Sequence, residues 1–169
     1  IGGLNALLPH DVSVREAVGA HAEFHARRDA RFRVYRYVIL RRSTPSALLR
    51  PYTHHVPESH DLDATRAALA RLEGEHDFRA FRALGTPTRT SRCTLVHADM
   101  SEQGDLLVLT VAADRFLRRM VRMIVGTVLR VGRGTLSVEQ VASLLETGKD
   151  GSAGPSAPAC GLYLLYVGY

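Results

Sequence analysis

The chain has 169 residues, 46% of them hydrophobic and 23% charged, which is the composition of an ordinary globular protein with one sizeable core. Its formal net charge of +5 and its isoelectric point near 9.7 favour a polyanionic partner, with nucleic acid the first candidate. No apolar run approaches the ~18 residues of a membrane span. Cys93 and Cys160 are too few and too isolated for a disulfide framework, so we expect a protein of the reducing cytoplasm.

The first thirty residues differ in pattern from the rest of the chain. The sequence starts at Ile1 without an initiator methionine and without a secretory leader, so we expect this chain to be the remainder of a longer polypeptide. A helix is predicted to end over Leu4 to Leu8, where Pro9 stops it, and a short strand is predicted at Val12 to Val18. An arginine-rich connection follows from His25 to Arg33. Residues 1–30 are therefore predicted to be the tail of a preceding domain.

The remaining pattern predicts one α+β domain over residues 31–169. Its predicted elements are, in chain order, a strand at Val34 to Leu40, a loop at Ser43 to Pro57, a helix at Asp61 to Glu73, an irregular stretch at Phe78 to Arg92, strands at Thr94 to Met100 and Leu106 to Ala113, helices at Arg115 to Val131 and Ser137 to Glu146, and a strand at Leu162 to Val167. The order β-α-β-β-α-α-β is the ferredoxin-like or RNA-recognition-like arrangement with one extra helix. It predicts an antiparallel sheet with helices on one face.

The predicted helix that begins at Arg115 has one basic face on an otherwise apolar surface. At about 3.6 residues per turn, four arginines share that face: Arg115, Arg118, Arg119 and Arg122. Gly126 continues the face one turn further, where the missing side chain would let another backbone approach, and Asp114 is the expected N-cap. Arginine forks on a mostly buried helix favour phosphate as a ligand. The alternative is a solvated basic face paired with carboxylates.

Generic catalytic and metal-binding motifs are absent from the sequence. The densest histidine cluster, His54, His55 and His60, lies in a predicted loop without a paired cysteine or carboxylate, so we expect no metal site. No phosphate-binding glycine loop or nucleophile elbow is present. Tyr35 and Tyr37 share one face of a predicted strand, where they either pack within the sheet or stack on a nucleobase.

Six short motifs occur in a fixed order along the chain. They are Phe24-His25-Ala26-Arg27, Tyr35-Arg36-Tyr37, Asp77-Phe78-Arg79-Ala80-Phe81, Thr88-Arg89-Thr90, Phe116-Leu117-Arg118-Arg119-Met120-Val121-Arg122 and Gly161-Leu162-Tyr163. In this order they resemble the tRNA pseudouridine synthase A family (TruA). The segment from Leu4 to Pro9 is similar to the stretch between the two halves of that family, so the resemblance covers essentially the whole chain.

The resemblance implies an isomerase that converts uridine to pseudouridine in the anticodon stem-loop of tRNA, without a metal or an organic cofactor. Such enzymes break the glycosidic bond, rotate the uracil and rejoin it through carbon, with an aspartate as the essential nucleophile or base. It implies that Tyr35 stacks on or hydrogen-bonds the target base, and that Arg122 pairs with the catalytic aspartate and keeps it ionised. The weaker candidates for phosphate contacts or a supporting role are Arg27, Arg89, Arg118 and Arg119.

The aspartate motif of the family, Gly-Arg-Thr-Asp-Ala-Gly, does not occur in this sequence. Asp29, Asp77 and Asp114 lie near other motifs, but none has that context. We therefore expect the C-terminal portion of a synthase, inactive alone although able to bind RNA weakly. The resemblance also implies a homodimer in which one tRNA spans both subunits. The alternatives are a non-catalytic RNA-binding module and a structural subunit with a basic self-association face.

Overall fold

The computed structural model describes residues 1–85 and 88–169. The helices in these residues are α1 (Gly2–Leu7), α2 (Leu62–Ala70), α3 (Met120–Gly132) and α4 (Val138–Thr147). The strands are β1 (Phe32–Leu40), β2 (His54–His55), β3 (Gly74–Asp77), β4 (Arg92–Gln103), β5 (Leu106–Ala113) and β6 (Leu162–Gly168). Short 3-10 turns lie at Arg79–Phe81 and Ala159–Gly161. None of the helices in the described ranges is long and apolar enough to cross a membrane.

The described strands form one sheet of six strands in the order β2-β1-β5-β4-β3, and β6 pairs with the edge of β1 that faces away from β5. The four long strands follow the order β6-β1-β5-β4 and run antiparallel to their neighbours, which confirms the predicted α+β, ferredoxin-like arrangement. The pairing of β1 with β2 is parallel. The sequence predicted neither β2 nor β3, because two and four residues are too few to show an alternating pattern.

The core lies between the sheet and the layer formed by α2, α3 and α4. Tyr37 and Ile39 of β1 are fully buried there, as are Met120 and Ile124 of α3. These side chains alternate along the strand and recur along the helix, so the two periodicities meet in one apolar layer. The capping box predicted at Ser137 is present at the start of α4.

The segment predicted to be irregular, Phe78 to Arg92, begins with the first 3-10 turn. Phe78 and Phe81 are fully buried with their ring centroids 5.8 Å apart, so this segment anchors a loop to the core. Thr86 and Pro87 lie outside the described residues. The last residue of the predicted segment, Arg92, is already the first residue of β4.

The N-terminal segment adds no strand to the sheet within the described residues. α1 ends shortly before Pro9, as predicted, but the strand predicted at Val12 to Val18 is wrong. The side-chain amide of Asn5 takes the place of a neighbouring strand, because its Nδ2 donates to the carbonyl of Val14 at 2.9 Å and its Oδ1 accepts from the Val14 amide at 2.7 Å. An extended segment with no strand beside it forms no ladder. That residues 1–30 belong to a preceding domain stays a prediction.

The helix predicted to start at Arg115 starts at Met120 instead, so the predicted helical face of four arginines is wrong. Two features of the chain explain why the helix begins five residues later than predicted. Leu117 turns into the core, where its amide faces the Met120 sulfur at 3.5 Å. Arg119 then has φ of +64°, in the left-handed region, which a continuous helix cannot contain.

Gly126 confirms the prediction that another backbone approaches α3 at this position. A Cβ added there would lie 2.2 Å from the carbonyl oxygen of Pro155. The loop that contains Pro155 is also bonded to the helix one turn earlier, where the amide of Ala157 donates to the carbonyl of Arg122 at 2.9 Å. This loop therefore lies directly on the first half of α3.

Candidate active site and nucleic-acid groove

Residues 114–119 connect β5 to α3 and form one wall of a cleft. Phe116 places its ring against Tyr35 of β1, with centroids 5.0 Å apart and ring planes at 85°. This edge-to-face contact leaves Tyr35 half-buried beside the open space. The cleft has a volume of about 450 Å³. Its lining is mainly basic and apolar: Arg27, Tyr35, Arg82, Thr88, Arg115, Phe116, Leu117, Arg118 and Arg119.

Two further clefts adjoin this one. The first, of about 440 Å³, shares Tyr35 and Phe116 with it and extends to Tyr169. The second, of about 380 Å³, shares Arg82 with it and extends to Ser156. We call the three clefts together the arginine groove. The arginines that line it are Arg27, Arg33, Arg82, Arg115, Arg118 and Arg119.

The arginine groove carries a concentrated positive charge. Among the residues that the structure describes, no aspartate or glutamate lines any of its three clefts. Arg82 forms an ion pair with Asp150, and Arg115 donates to the hydroxyl of Thr88 at 3.3 Å. The exposed members of the groove are Arg27, Arg118 and Arg119. Cations gathered in a partly enclosed space favour the entry of an anion, because the anion relieves their mutual repulsion.

The backbone at Arg119 explains why these arginines converge without sharing a helix. Its left-handed conformation redirects the chain just before α3, and such a conformation costs of order 1 kcal/mol for a residue with a Cβ. The turn is fixed from outside, since the amide of Ala83 donates to the carbonyl of Arg118 at 3.0 Å. The predicted stripe is thus replaced by a strained turn that directs arginines into the same space. Strained backbone of this kind is concentrated at functional sites.

Arg122 occupies the first turn of α3 and is partly buried. Its Nε donates to the carbonyl of Ala157 at 2.6 Å, and within residues 1–85 and 88–169 no carboxylate forms an ion pair with it. Its charge lies near the buried phenol of Tyr37: burial and the neighbouring Cys160 raise the pKa of that phenol, and Arg122 opposes the rise. The hydroxyl of Tyr37 donates to the carbonyl of Pro158 at 2.8 Å, so this tyrosine packs within the core.

The three aspartates that lie near sequence motifs are all occupied by local hydrogen bonds. Asp29 accepts from the His25 amide at 2.8 Å. Asp77 accepts from the side chain of Arg79, which holds the pKa of its carboxyl at about 2. Asp114 accepts from the amides of Thr94 and Arg115, at 2.8 and 2.7 Å, and is not the predicted helix N-cap. None of the three lines the groove as described.

Known proteins resemble this chain along its length. A family model described as tRNA pseudouridine synthase matches residues 68–169. The tRNA pseudouridine synthases A of Acetivibrio thermocellus and Pelobacter propionicus are 39% and 40% identical to it over 98% and 100% of the chain, and that of Citrifermentans bemidjiense is 44% identical over 99%. The chain spans 68%, 69% and 67% of these relatives, respectively. It belongs to the tRNA pseudouridine synthase family.

In this member of the tRNA pseudouridine synthase family, the central cleft brings together four of the predicted site residues: Tyr35, Arg27, Arg118 and Arg119. Arg122 is not among the described lining, because its side chain turns toward Ala157. Arg89 is exposed and lines none of the three clefts as described, although its neighbour Thr88 does. The roles that the resemblance gives to these residues stay predictions.

Two groove residues of this synthase-family chain escaped the sequence analysis. Arg33 lies two residues before Tyr35 on β1, and alternation along a strand puts both on one face. Arg82 directly follows the aromatic motif that ends at Phe81. Spacing from a predicted site residue could have indicated Arg33. No local signal indicates Arg82, because only the fold brings it to Arg118.

Proposed function

We propose that this chain is the RNA-positioning part of a tRNA pseudouridine synthase, which isomerises uridine to pseudouridine in the anticodon stem-loop of tRNA. The observation that carries the proposal is the arginine groove, which has six arginines, no described acidic lining and a half-buried tyrosine at its centre. The catalytic aspartate is supplied by a segment with the aspartate motif of the family, which this chain lacks. Without that segment the chain binds RNA and does not turn it over.

The basic side chains of the groove suit the phosphates of an RNA strand. Guanidinium groups donate in pairs to phosphate oxygens and stay charged at every physiological pH. Arg27 approaches the central cleft from the N-terminal segment, whereas Arg118 and Arg119 approach it from the turn before α3. A strand lying between these two walls is contacted from both sides, which fixes its position relative to Tyr35.

The aromatic pair at the centre suits an unstacked base. A base that leaves its helix loses stacking, and an aromatic side chain restores part of it. Tyr35 is half-buried and is held edge-on by Phe116, so its orientation is fixed before any ligand arrives. We assign Tyr35 the contact with the target uracil.

Arg122 is the proposed partner of the aspartate. Its Nε is used by Ala157, and within the described residues nothing accepts from its two terminal nitrogens. A partly buried guanidinium with free donors binds a carboxylate in the two-pronged mode and lowers the pKa of that carboxylate, which keeps it ionised at neutral pH. The chemistry uses protein side chains and the substrate, with no metal or organic cofactor. Arg89 is assigned a phosphate contact at the margin.

The test joins the unmatched part of the Citrifermentans bemidjiense relative, which is expected to carry the aspartate motif, to the start of this chain. The chimera should release tritium from tRNA that carries 5-tritiated uridine, and the 169-residue chain alone should not. Arg122→Ala in the chimera should slow turnover by at least about 100-fold and change tRNA affinity little. Arg119→Ala should instead weaken tRNA affinity and change the turnover of bound tRNA little.

The outcomes separate this proposal from the alternatives. Turnover by the chain alone, or an inactive chimera that binds tRNA normally, would contradict the assignment and favour a non-catalytic RNA-binding module. Failure of the chain to retain tRNA at moderate salt would favour a basic self-association face instead.

We also propose a homodimer located in the cytoplasm; light scattering of the chain with and without tRNA tests the dimer.

A further inference from the structure

One arginine of the groove differs from the others in what it contacts. Arg33 directs its guanidinium at three backbone carbonyls: Nη1 donates to Ala30 at 2.9 Å and to Asp114 at 2.6 Å, and Nη2 donates to Arg27 at 2.8 Å. These carbonyls belong to two separate segments, one before β1 and one after β5. Arg33 therefore joins the two walls of the groove.

The wall before β1 is a turn with its own internal structure. The Nδ1 atom of His25 accepts from the amides of Arg27 and Arg28, at 3.2 and 3.3 Å. Asp29 accepts from the His25 amide and closes the turn. All of these residues are exposed, so their own side chains contribute little apolar packing against the domain. The turn is attached to the domain by Arg33, by the backbone bond from the Arg31 amide to the carbonyl of Gly168 at 2.8 Å, and by the ring of Phe24, which packs against Tyr169 with centroids 5.1 Å apart.

The opposite wall begins at Asp114, whose carbonyl Arg33 holds. The next two residues, Arg115 and Phe116, line the same two clefts of the groove as Tyr35. Asp114 is fixed from the other side as well, because its carboxylate accepts from the Thr94 amide. One guanidinium thus links a weakly packed basic turn to a wall that the sheet already holds in place.

We propose that Arg33 is a positioning residue that sets the width of the groove and holds Arg27 toward the bound RNA. This inference rests on the proposed function. Its own guanidinium is turned to protein carbonyls, so Arg33 acts through Arg27 and the 114–116 wall and not as a phosphate ligand. A lysine cannot replace it, because an ammonium group cannot reach acceptors on two segments with the geometry of a planar fork.

The experiment measures binding of an anticodon stem-loop RNA to the 169-residue chain by fluorescence anisotropy over a range of salt concentrations. Arg33→Met should weaken binding about tenfold, the effect of one charge-assisted hydrogen bond, and Arg33→Lys should recover only part of the loss. Arg41→Met is the matched control. It removes a guanidinium just beyond the far end of β1, where Arg41 pairs with Glu102, and should change affinity less than twofold.

A double-mutant cycle distinguishes positioning from direct contact. If Arg33 acts largely through Arg27, Arg33→Met should have at most half its effect in an Arg27→Met background. Additive effects would overturn the proposal and indicate a separate phosphate ligand. Wild-type affinity of Arg33→Lys would overturn it too. If the wild-type chain does not bind the RNA, the proposed function is contradicted, but the role of Arg33 in joining the two walls is not. That role is tested separately by limited proteolysis, in which trypsin should cleave after Arg27 faster in Arg33→Lys than in Arg41→Met.

Discussion

Two regions of the molecule lie side by side: the arginine groove, and the apolar layer between α3 and the sheet. They differ in whether their own side chains satisfy one another. Met120, Ile124 and Val128 of α3 are fully buried in an apolar layer that is packed by side chains of the protein alone. A few residues earlier, Arg118 and Arg119 are exposed and line a groove in which six arginines meet and to whose described lining no aspartate or glutamate contributes. The core is complete without a ligand, and the groove is not. Substitutions in the two regions should therefore change different quantities, stability in one and RNA affinity in the other.

The largest expected effect is a loss of stability when a buried ring is removed from the core. Phe81→Ala removes a fully buried ring and should lower the free energy of unfolding by about 3–5 kcal/mol, measured by urea denaturation. Phe24→Ala removes the same ring from the exposed N-terminal segment and should cost less than about 1 kcal/mol. Equal losses would mean that this segment belongs to the core.

A second substitution tests the loop that lies on α3. Gly126→Ala places a Cβ 2.2 Å from the carbonyl oxygen of Pro155, so the loop must move, and unfolding should become easier by about 2 kcal/mol. Gly19→Ala serves as the control, because nothing lies within 4 Å of its added Cβ. If Gly126→Ala unfolds at the same urea concentration as the wild type, the close approach does not constrain the helix.

A third substitution should change stability and RNA affinity in opposite directions. Arg119→Gly relieves a left-handed backbone at φ +64° and should raise stability by about 1 kcal/mol. It also removes a groove cation, so tRNA affinity should fall and the slope of log affinity against log salt should become shallower by about 1. Loss of both stability and affinity would contradict the view that strain is maintained here for binding.

The smallest expected effect is a change in how the stability of the fold depends on pH below about pH 4. The side chain of Arg79 lowers the pKa of the Asp77 carboxyl from 3.8 to about 2, so the pairing stabilises the fold above pH 4 and is lost as the pH falls toward 2. The pair is near the surface, so the contribution should be below about 1 kcal/mol. Asp77→Asn should flatten the decline in stability between pH 4 and pH 2 and leave tRNA affinity at neutral pH unchanged. Thermal unfolding across that pH range measures it.

Much of the fold could be predicted from the sequence because its signals are local. Alternation indicated β1, short apolar runs indicated β5 and β6, and the pairing of Ser137 with Gln140 indicated the start of α4. The strand predicted at Val12 to Val18 failed because a strand needs a neighbour, which a local pattern does not supply. The long helix from Arg115 failed for a related reason: apolar periodicity continued upstream of Met120, although Leu117 was needed in the core.

The order of the motifs by itself determined the family, and the composition determined the preference for a polyanion. The tertiary structure alone decided that arginines from positions 27, 33, 82, 115, 118 and 119 share one groove, and that Arg33 holds its two walls together. The physical reason is that a guanidinium bonded to carbonyls and a guanidinium facing solvent are the same letter in a sequence. Only the folded backbone, including the left-handed turn at Arg119, determines which is which.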